Sequence, residues 1–192
     1  MEEIIIQTKN ANLTDDQFFQ LCAENKMIRF ERDKHRNIII MAPTGSMGGN
    51  RNMRIAVKLG MWNEQNKLGY CFDSNSGFTL PDHSVFAPDA SWIVKERWEA
   101  ITDEEKEKFA PICPDFVIEI RSKSDSINLL KSKMDDWMSN GCRLAWMIDP
   151  FARTTVVYRP NAEPVLHPFT DILSGGNVLP GFELRLEDLL IK

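Results

Sequence analysis

The sequence predicts one mixed α/β domain over residues 1–192. Helical segments with capping signatures alternate with short strand-like runs, the pattern of helices packed on a sheet. One run, Phe116-Val117-Ile118-Glu119-Ile120, is apolar at every position but one and marks a central strand. No repeat, low-complexity stretch or linker divides the chain, and 192 residues suffice for a single core.

The elements follow in order. Thr14-Asp15-Asp16-Gln17 has the form of a capping box and opens a helix running to about Asn25, with Phe18, Phe19, Leu21 and Cys22 on its apolar side. Met27–Arg32 and Asn37–Met41 read as two strands, and the polar link 33–36 joins them as a hairpin. Ala42–Gly49 reads as a loop from its proline and glycines. A helix over Arg51–Asn66 follows, with Met53, Ala56, Val57, Gly60 and Met61 at the spacing of one apolar face. Tyr70–Asp73 and Gly77–Leu80 are strands around a Ser-Asn-Ser link, and Ser91–Val94 is a buried strand. Thr102-Asp103-Glu104-Glu105 is a second capping box on a short helix. After the central strand, Asn128–Asn140 is a helix stopped by Gly141. Leu144–Ile148 and Thr154–Tyr158 are strands parted by Asp149-Pro150, and the chain closes on the apolar-rich Leu184–Leu190.

Composition excludes several classes. No apolar run approaches the ~18 residues of a membrane helix, and the start Met1-Glu2-Glu3-Ile4 lacks a signal-peptide core. A cytoplasmic location is expected. Cys22, Cys71, Cys113 and Cys142 form no Cys-x-x-Cys pair, so reduced thiols are expected rather than a zinc cluster. The net charge of −5 argues against a general nucleic-acid binder, but the charges are unevenly spread. Arg51, Arg54 and Lys58 lie in a stretch without acids, and Arg121, Lys123, Lys131 and Lys133 outnumber Asp125 in theirs. These stretches read either as a basic face or as a solvated mixed surface. The glycine-rich segment before the second helix lacks the Gly-Lys-Ser/Thr ending of a phosphate loop and reads as a plain turn.

Two strands carry carboxylates where packing alone would not place them. Asp89 stands at the start of one, and Glu119 lies within the other. A buried charge is costly unless a cation or metal accompanies it. Asp89 reads as turn chemistry after Pro88 or as a ligand; Glu119 reads as half of an ion pair with Arg121 or a lysine, or as a ligand. Taken together they favour a metal site. Mg²⁺ prefers oxygen ligands and binds through one or two carboxylates with waters and a phosphate. On the helix 128–140, Lys133 falls inside the apolar arc of Leu129, Leu130, Met134, Trp137 and Met138, whereas Lys131 falls beyond its edge. Lys133 is therefore directed toward the core or a cleft, or snorkels from it. Glu31, by itself, reads as a surface charge. Trp62, Trp92 and Trp98 are assigned to the core, with an interface as the alternative.

Glu31 in Arg-Phe-Glu, Pro88-Asp89-Ala-Ser-Trp-Ile-Val, Pro114-Asp115-Phe-Val-Ile-Glu119-Ile-Arg-Ser, Leu130-Lys-Ser-Lys133-Met and Trp146-Met-Ile-Asp149-Pro150 through Val156 to Pro160 resemble one family over nearly the whole chain. It is the Uma2-type family (domain of unknown function 820) of the PD-(D/E)XK restriction-endonuclease-like superfamily. The resemblance implies a central mixed sheet flanked by helices. It implies Asp89 and Glu119 as metal-binding acids and Glu31 as an added acid, but it supplies no substrate; the leading reading is a Mg²⁺- or Mn²⁺-dependent endonuclease acting on a DNA phosphodiester. The superfamily pattern has lysine two residues after the second acid. Arg121 stands there, and the resemblance moves the lysine's role to Lys133. Arginine stays protonated, so Arg121 is expected to contact the phosphate, with Arg51, Arg54 and Lys123 holding the nucleic-acid backbone. A homodimer, one site per strand, is compatible with this reading. The alternative is an inactive module binding nucleic acid or protein, with closed Glu119–Arg121 and Asp89–Lys133 pairs.

Overall fold

The computed structural model describes residues 4–7 and 13–190, so the acidic start at residues 1–3 lies outside the described residues. The first half of the chain forms β1 (Ile4–Ile6), α1 (Asp15–Glu24), β2 (Arg29–Arg32), β3 (Ile38–Met41), α2 (Ser46–Asn66), β4 (Gly69–Asp73), β5 (Phe78–Thr79), β6 (Val85–Phe86) and β7 (Ala90–Val94). The second half forms α3 (Lys95–Glu99), α4 (Asp103–Lys106), β8 (Phe116–Ile120), α5 (Ile127–Ser139), β9 (Leu144–Asp149), β10 (Thr154–Tyr158), β11 (Val165–Pro168), β12 (Ile172–Ser174) and β13 (Glu183–Arg185), followed by a 3-10 turn at Leu186–Leu189. No helix among the described residues is long and apolar enough to cross a membrane.

The principal sheet has six strands in the order β11-β10-β9-β8-β7-β4. Only β8 and β9 pair in parallel, with Glu119 opposite Met147; the other pairs are antiparallel, so the sheet is mixed. A second sheet, β1-β3-β2-β6-β5, carries the hairpin, and β12 and β13 form a small ribbon.

Side-chain alternation along β8 and β9 sorts the core into two layers. Phe116, Ile118 and Trp146 pack against Ile55, Leu59 and Trp62 of α2 and against Phe182 and Leu184 near the C-terminus. Val117, Ala145 and Met147 pack against Met134 and Trp137 of α5 and against Phe86. Glu119 shares the parity of Val117, so strand geometry alone directs it at α5. Trp62 and Trp92 are buried and Trp98 is partly buried against the core. Both capping boxes form, at Thr14–Gln17 and at Thr102–Glu105. Gly141, past the end of α5, has φ +102°, a conformation that glycine adopts without strain.

The second helix differs from expectation twice. It begins at Ser46, so Met47, Gly48 and Gly49 are helical rather than loop. Its buried face is Ile55, Leu59 and Trp62, whereas Met53, Val57 and Met61 are 64%, 48% and 60% exposed. Both stripes have helical spacing and lie on opposite sides. The stripe that takes the core is the one that packs with Phe116, Trp146, Phe182 and Leu184, and burying it there removes its apolar area from water.

At Gly69 β4 leaves no room for a side chain. A Cβ there would stand 2.1 Å from the Ile93 carbonyl oxygen and 2.6 Å from the Trp92 ring. A backbone atom cannot move aside as a side chain can, so Gly69→Ala is expected to destabilise the chain by about 1–3 kcal/mol through overpacking. Urea denaturation checks this, and a midpoint equal to the wild type would contradict the close approach.

Candidate active site

Four elements bring their charges to one place. β2 supplies Glu31, the start of β7 supplies Asp89, β8 supplies Glu119 and α5 supplies Lys133. The Lys133 ammonium stands 2.9 Å from Oε1 of Glu31 and 2.9 Å from Oε1 of Glu119. It also lies over the Phe86 ring, 5.4 Å from its centroid. Glu31 and Glu119 are only 4% and 5% exposed, so both carboxylates are largely removed from water.

Each acid is also held by an uncharged donor. Asp89 accepts from the Ile120 amide at 2.7 Å through one oxygen and from Asn52 Nδ2 at 2.6 Å through the other. Those bonds tie the start of β7 to the end of β8 and to the first turns of α2. Glu119 accepts from the Trp137 indole N–H at 2.9 Å. Glu31 accepts from the Ala87 amide at 2.9 Å. The two glutamates make these contacts through Oε1, so Oε2 is the atom each has left to offer a cation.

The electrostatics follow from two carboxylates on one ammonium, with the Asp89 carboxylate close enough to act on both Lys133 and Glu119 through its charge. Burial pushes the Glu119 carboxyl up to about 7; Lys133 opposes the shift, and Asp89 and Glu31 add to it. Burial likewise raises Asp89 above the usual aspartate range, against the amide of Ile120 and the charge of Lys133. Burial disfavours the Lys133 ammonium, but Glu119 and Glu31 outweigh it and hold the lysine protonated, its pKa raised. With all groups ionised the cluster carries an excess of two negative charges.

That excess is the charge of one divalent ion. Among the described residues no group of three or more Asp, Glu, His or Cys side chains is placed to hold a metal. A Mg²⁺ ion here would therefore take at most two carboxylates from the protein, with water or phosphate oxygen in its other positions. Asp89 and Glu119 would be those two. All four cysteines are free thiols.

The acids lie along a cleft with two lobes. One, of about 530 Å³, runs past Gly45, Arg51, Asn52 and Lys123. The other, of about 620 Å³, runs under the hairpin past Glu31, Glu119 and Lys133. Asp89 and Ile120 border both.

The remaining candidates separate. Arg51 and Lys123 line the smaller lobe. Arg54 does not face the cleft lobes; it bonds Asn50 at 2.9 Å and the Asp188 carbonyl at 3.0 Å. Arg121 does not share the face of Glu119, because β8 ends at Ile120 and the alternation stops there. Its guanidinium pairs with Asp149 at 2.9 Å and donates to the Asp125 carbonyl at 3.4 Å, bracing the turn after β8 at the edge of the smaller lobe. Among the described residues neither a Glu119–Arg121 nor an Asp89–Lys133 pair is present within 4.0 Å. Glu31 is no surface charge, since β6 and the segment after it cover it. Asp115 is fully buried and pairs with Arg97 at 2.8 Å and Arg143 at 3.4 Å, away from the cluster.

Asn52 and Trp137 join the site without having been expected there. Trp137 is legible in the sequence as a core residue only; the signal of a further role is its indole N–H, which needs an acceptor when buried. Asn52 carries no signal, because its partner is distant in the chain.

A family model described as "Putative restriction endonuclease" matches residues 15–187. Among solved structures, a protein from Anabaena variabilis ATCC 29413 described as a "putative nuclease belonging to DUF820" superimposes with a TM-score of 0.75 at 22% identity, over 92% of this chain and 96% of that one. At that identity the likeness establishes the fold. No curated protein matches the sequence. The matched segment takes in all four charged residues of the cluster, and the chain belongs to the Uma2 family.

Proposed function

We propose that this chain is a Mg²⁺- or Mn²⁺-dependent endonuclease that hydrolyses DNA phosphodiester bonds. The observation that supports it is the uncompensated cluster: three carboxylates with one protonated lysine, at the meeting point of two cleft lobes. Asp89 and Glu119 would hold the ion, which supplies Lewis acidity and lowers the pKa of bound water.

The chain's own residues do the rest. An ammonium has three N–H donors, and Glu31 and Glu119 take two at Lys133. The third is free for the attacking water or for a phosphate oxygen as its charge grows. Because Lys133 stays protonated, it orients and stabilises rather than accepting the water's proton. Glu31, bonded to the same ammonium, is the carboxylate placed to assist. Arg51 and Lys123 hold the phosphates that flank the cut. A homodimer would present one such site to each strand of a duplex.

Supercoiled-plasmid nicking with Mg²⁺ or Mn²⁺ tests the proposal. Asp89→Asn keeps the shape of the side chain and removes its charge, and is expected to lower nicking by at least about 10²-fold, the scale of losing a group that acts in the transition state. Nicking that survives Asp89→Asn unchanged would reject the site.

A further inference from the structure

The two lobes of the cleft differ in kind, and the difference bears on how a nucleic acid would lie in them. The smaller lobe sets Arg51 and Lys123, with Arg121 already paired to Asp149 at 2.9 Å, against the single carboxylate of Asp89. The larger lobe is lined by six carboxylates, among them Glu31, Glu119 and Asp136, and by only three Lys or Arg side chains. Two of those three are already neutralised: Lys34 pairs with Asp136 at 2.8 Å, and Lys133 is shared by Glu31 and Glu119. Even with His35 charged, this wall remains acidic. Phosphates running along it would meet repulsion.

The same wall offers apolar surface. Met27 is 97% exposed, Ile28 42% and Leu129 45%, and all three line the larger lobe. Its volume of about 620 Å³ lies within the range of ~300–1,000 Å³ typical of small-molecule sites. A group that suits it is flat and uncharged, with faces that pack on apolar side chains and edges that meet polar ones, and is attached to a strand whose phosphates lie in the other lobe. A nucleobase answers that description.

Resting on the nuclease reading above, we propose that the larger lobe receives a nucleobase of the strand being cut, turned out of its stack, while the basic lobe retains the adjoining phosphates. The scissile phosphate then lies where the lobes meet, at Asp89. A matched duplex must first be unpaired and unstacked to enter, whereas a single strand or a mismatch needs less or none of this. The substrate class is therefore single-stranded or locally melted DNA in preference to perfect duplex.

The test compares three oligonucleotides of one sequence: a matched duplex, the same duplex with a central mismatch, and the single strand. Cleavage is measured with Mn²⁺, and binding by fluorescence anisotropy with Glu119→Gln protein. The single strand and the mismatch are expected to be cut and bound at least about tenfold better than the matched duplex. Met27→Asp and Leu129→Asp alter exposed positions, so folding is retained, and each is expected to erase most of that preference. Lys123→Ala should instead weaken all three alike, as a phosphate contact does. Equal handling of the matched duplex, or a preference untouched by Met27→Asp and Leu129→Asp, would overturn the inference. If no oligonucleotide is cut but the binding preference appears and is lost in those variants, the inference stands and the nuclease reading fails.

Discussion

Lys133→Met will lower the stability of the chain by about 3–5 kcal/mol at pH 8, the cost of leaving buried charges without their partner. Methionine keeps most of the lysine stem, which packs among apolar groups, so lost volume contributes little. What disappears is the ion pairing of Glu31 and Glu119, for which no other salt bridge exists among the described residues. The loss has a pH signature. Without the ammonium, the folded-state pKa of Glu119, already pushed up to about 7 by burial, moves further above its unfolded value. Carboxyls of that kind favour the folded state only while protonated, so the variant regains stability as pH falls toward the unfolded carboxylate range near ~4.3. Urea denaturation at pH 8 and pH 5 would show a large deficit in the first and a smaller one in the second. Millimolar Mg²⁺ should narrow the deficit at pH 8 if the acids bind it, since a ligand of the folded state alone stabilises that state. A deficit of the same size at both pH values would mean that Lys133 contributes packing rather than charge. Activity should fall with stability, and nicking at the wild-type rate would remove Lys133 from the mechanism.

Much of this site is legible in the amino-acid sequence. Glu119 interrupts an apolar strand, and period-two alternation points it away from Phe116 and Ile118. Lys133 sits within the apolar arc of its helix, and 100° per residue points it inward. Both inferences are local and hold because strand and helix geometry are rigid. Glu31 is harder, because nothing local says that β6 will lie beside β2 and bury it. Arg121 misleads for a different reason: alternation holds only within a strand, and β8 ends one residue earlier. The second helix offers two apolar stripes, and which one faces the sheet depends on Phe182 and Leu184, more than a hundred residues away in the chain. Asn52 illustrates the same limit, since its role exists only through Asp89. Local periodicity locates charged residues, whereas the contacts that hold them are set by tertiary packing.

Glu119→Gln is expected to move stability and function in opposite directions. Burial holds the folded-state pKa of Glu119 near 7, above its ordinary value of 4.5. Between those values the folded chain binds more protons than the unfolded chain, so wild-type stability falls as pH rises from about 4.5 to 7. A tenfold change in proton affinity corresponds to about 1.4 kcal/mol, and coupling to Lys133, Asp89 and Glu31 makes a net figure of about 1–3 kcal/mol the reasonable expectation. Glutamine keeps an oxygen for Lys133 and for the Trp137 indole while removing one of three competing negative charges. Lys133 still has Glu31 at 2.9 Å. The variant should therefore be more stable than the wild type at pH 8, equal to it or weaker near pH 4.5, and nearly flat across the window where the wild type slopes. If the proposed site is right, Mg²⁺ raises the melting temperature of the wild type at pH 8, and the variant should lose both that rise and metal-dependent nicking. If Glu119 holds the ion as proposed, metal affinity in the wild type should strengthen as pH rises through 7, because the ion would compete with a proton for this carboxylate. A variant less stable than the wild type at every pH would show that Glu119 is a structural anchor. A gain in stability with loss of metal response would identify its charge as strain retained for chemistry, the trade-off expected where function requires carboxylates to be crowded together.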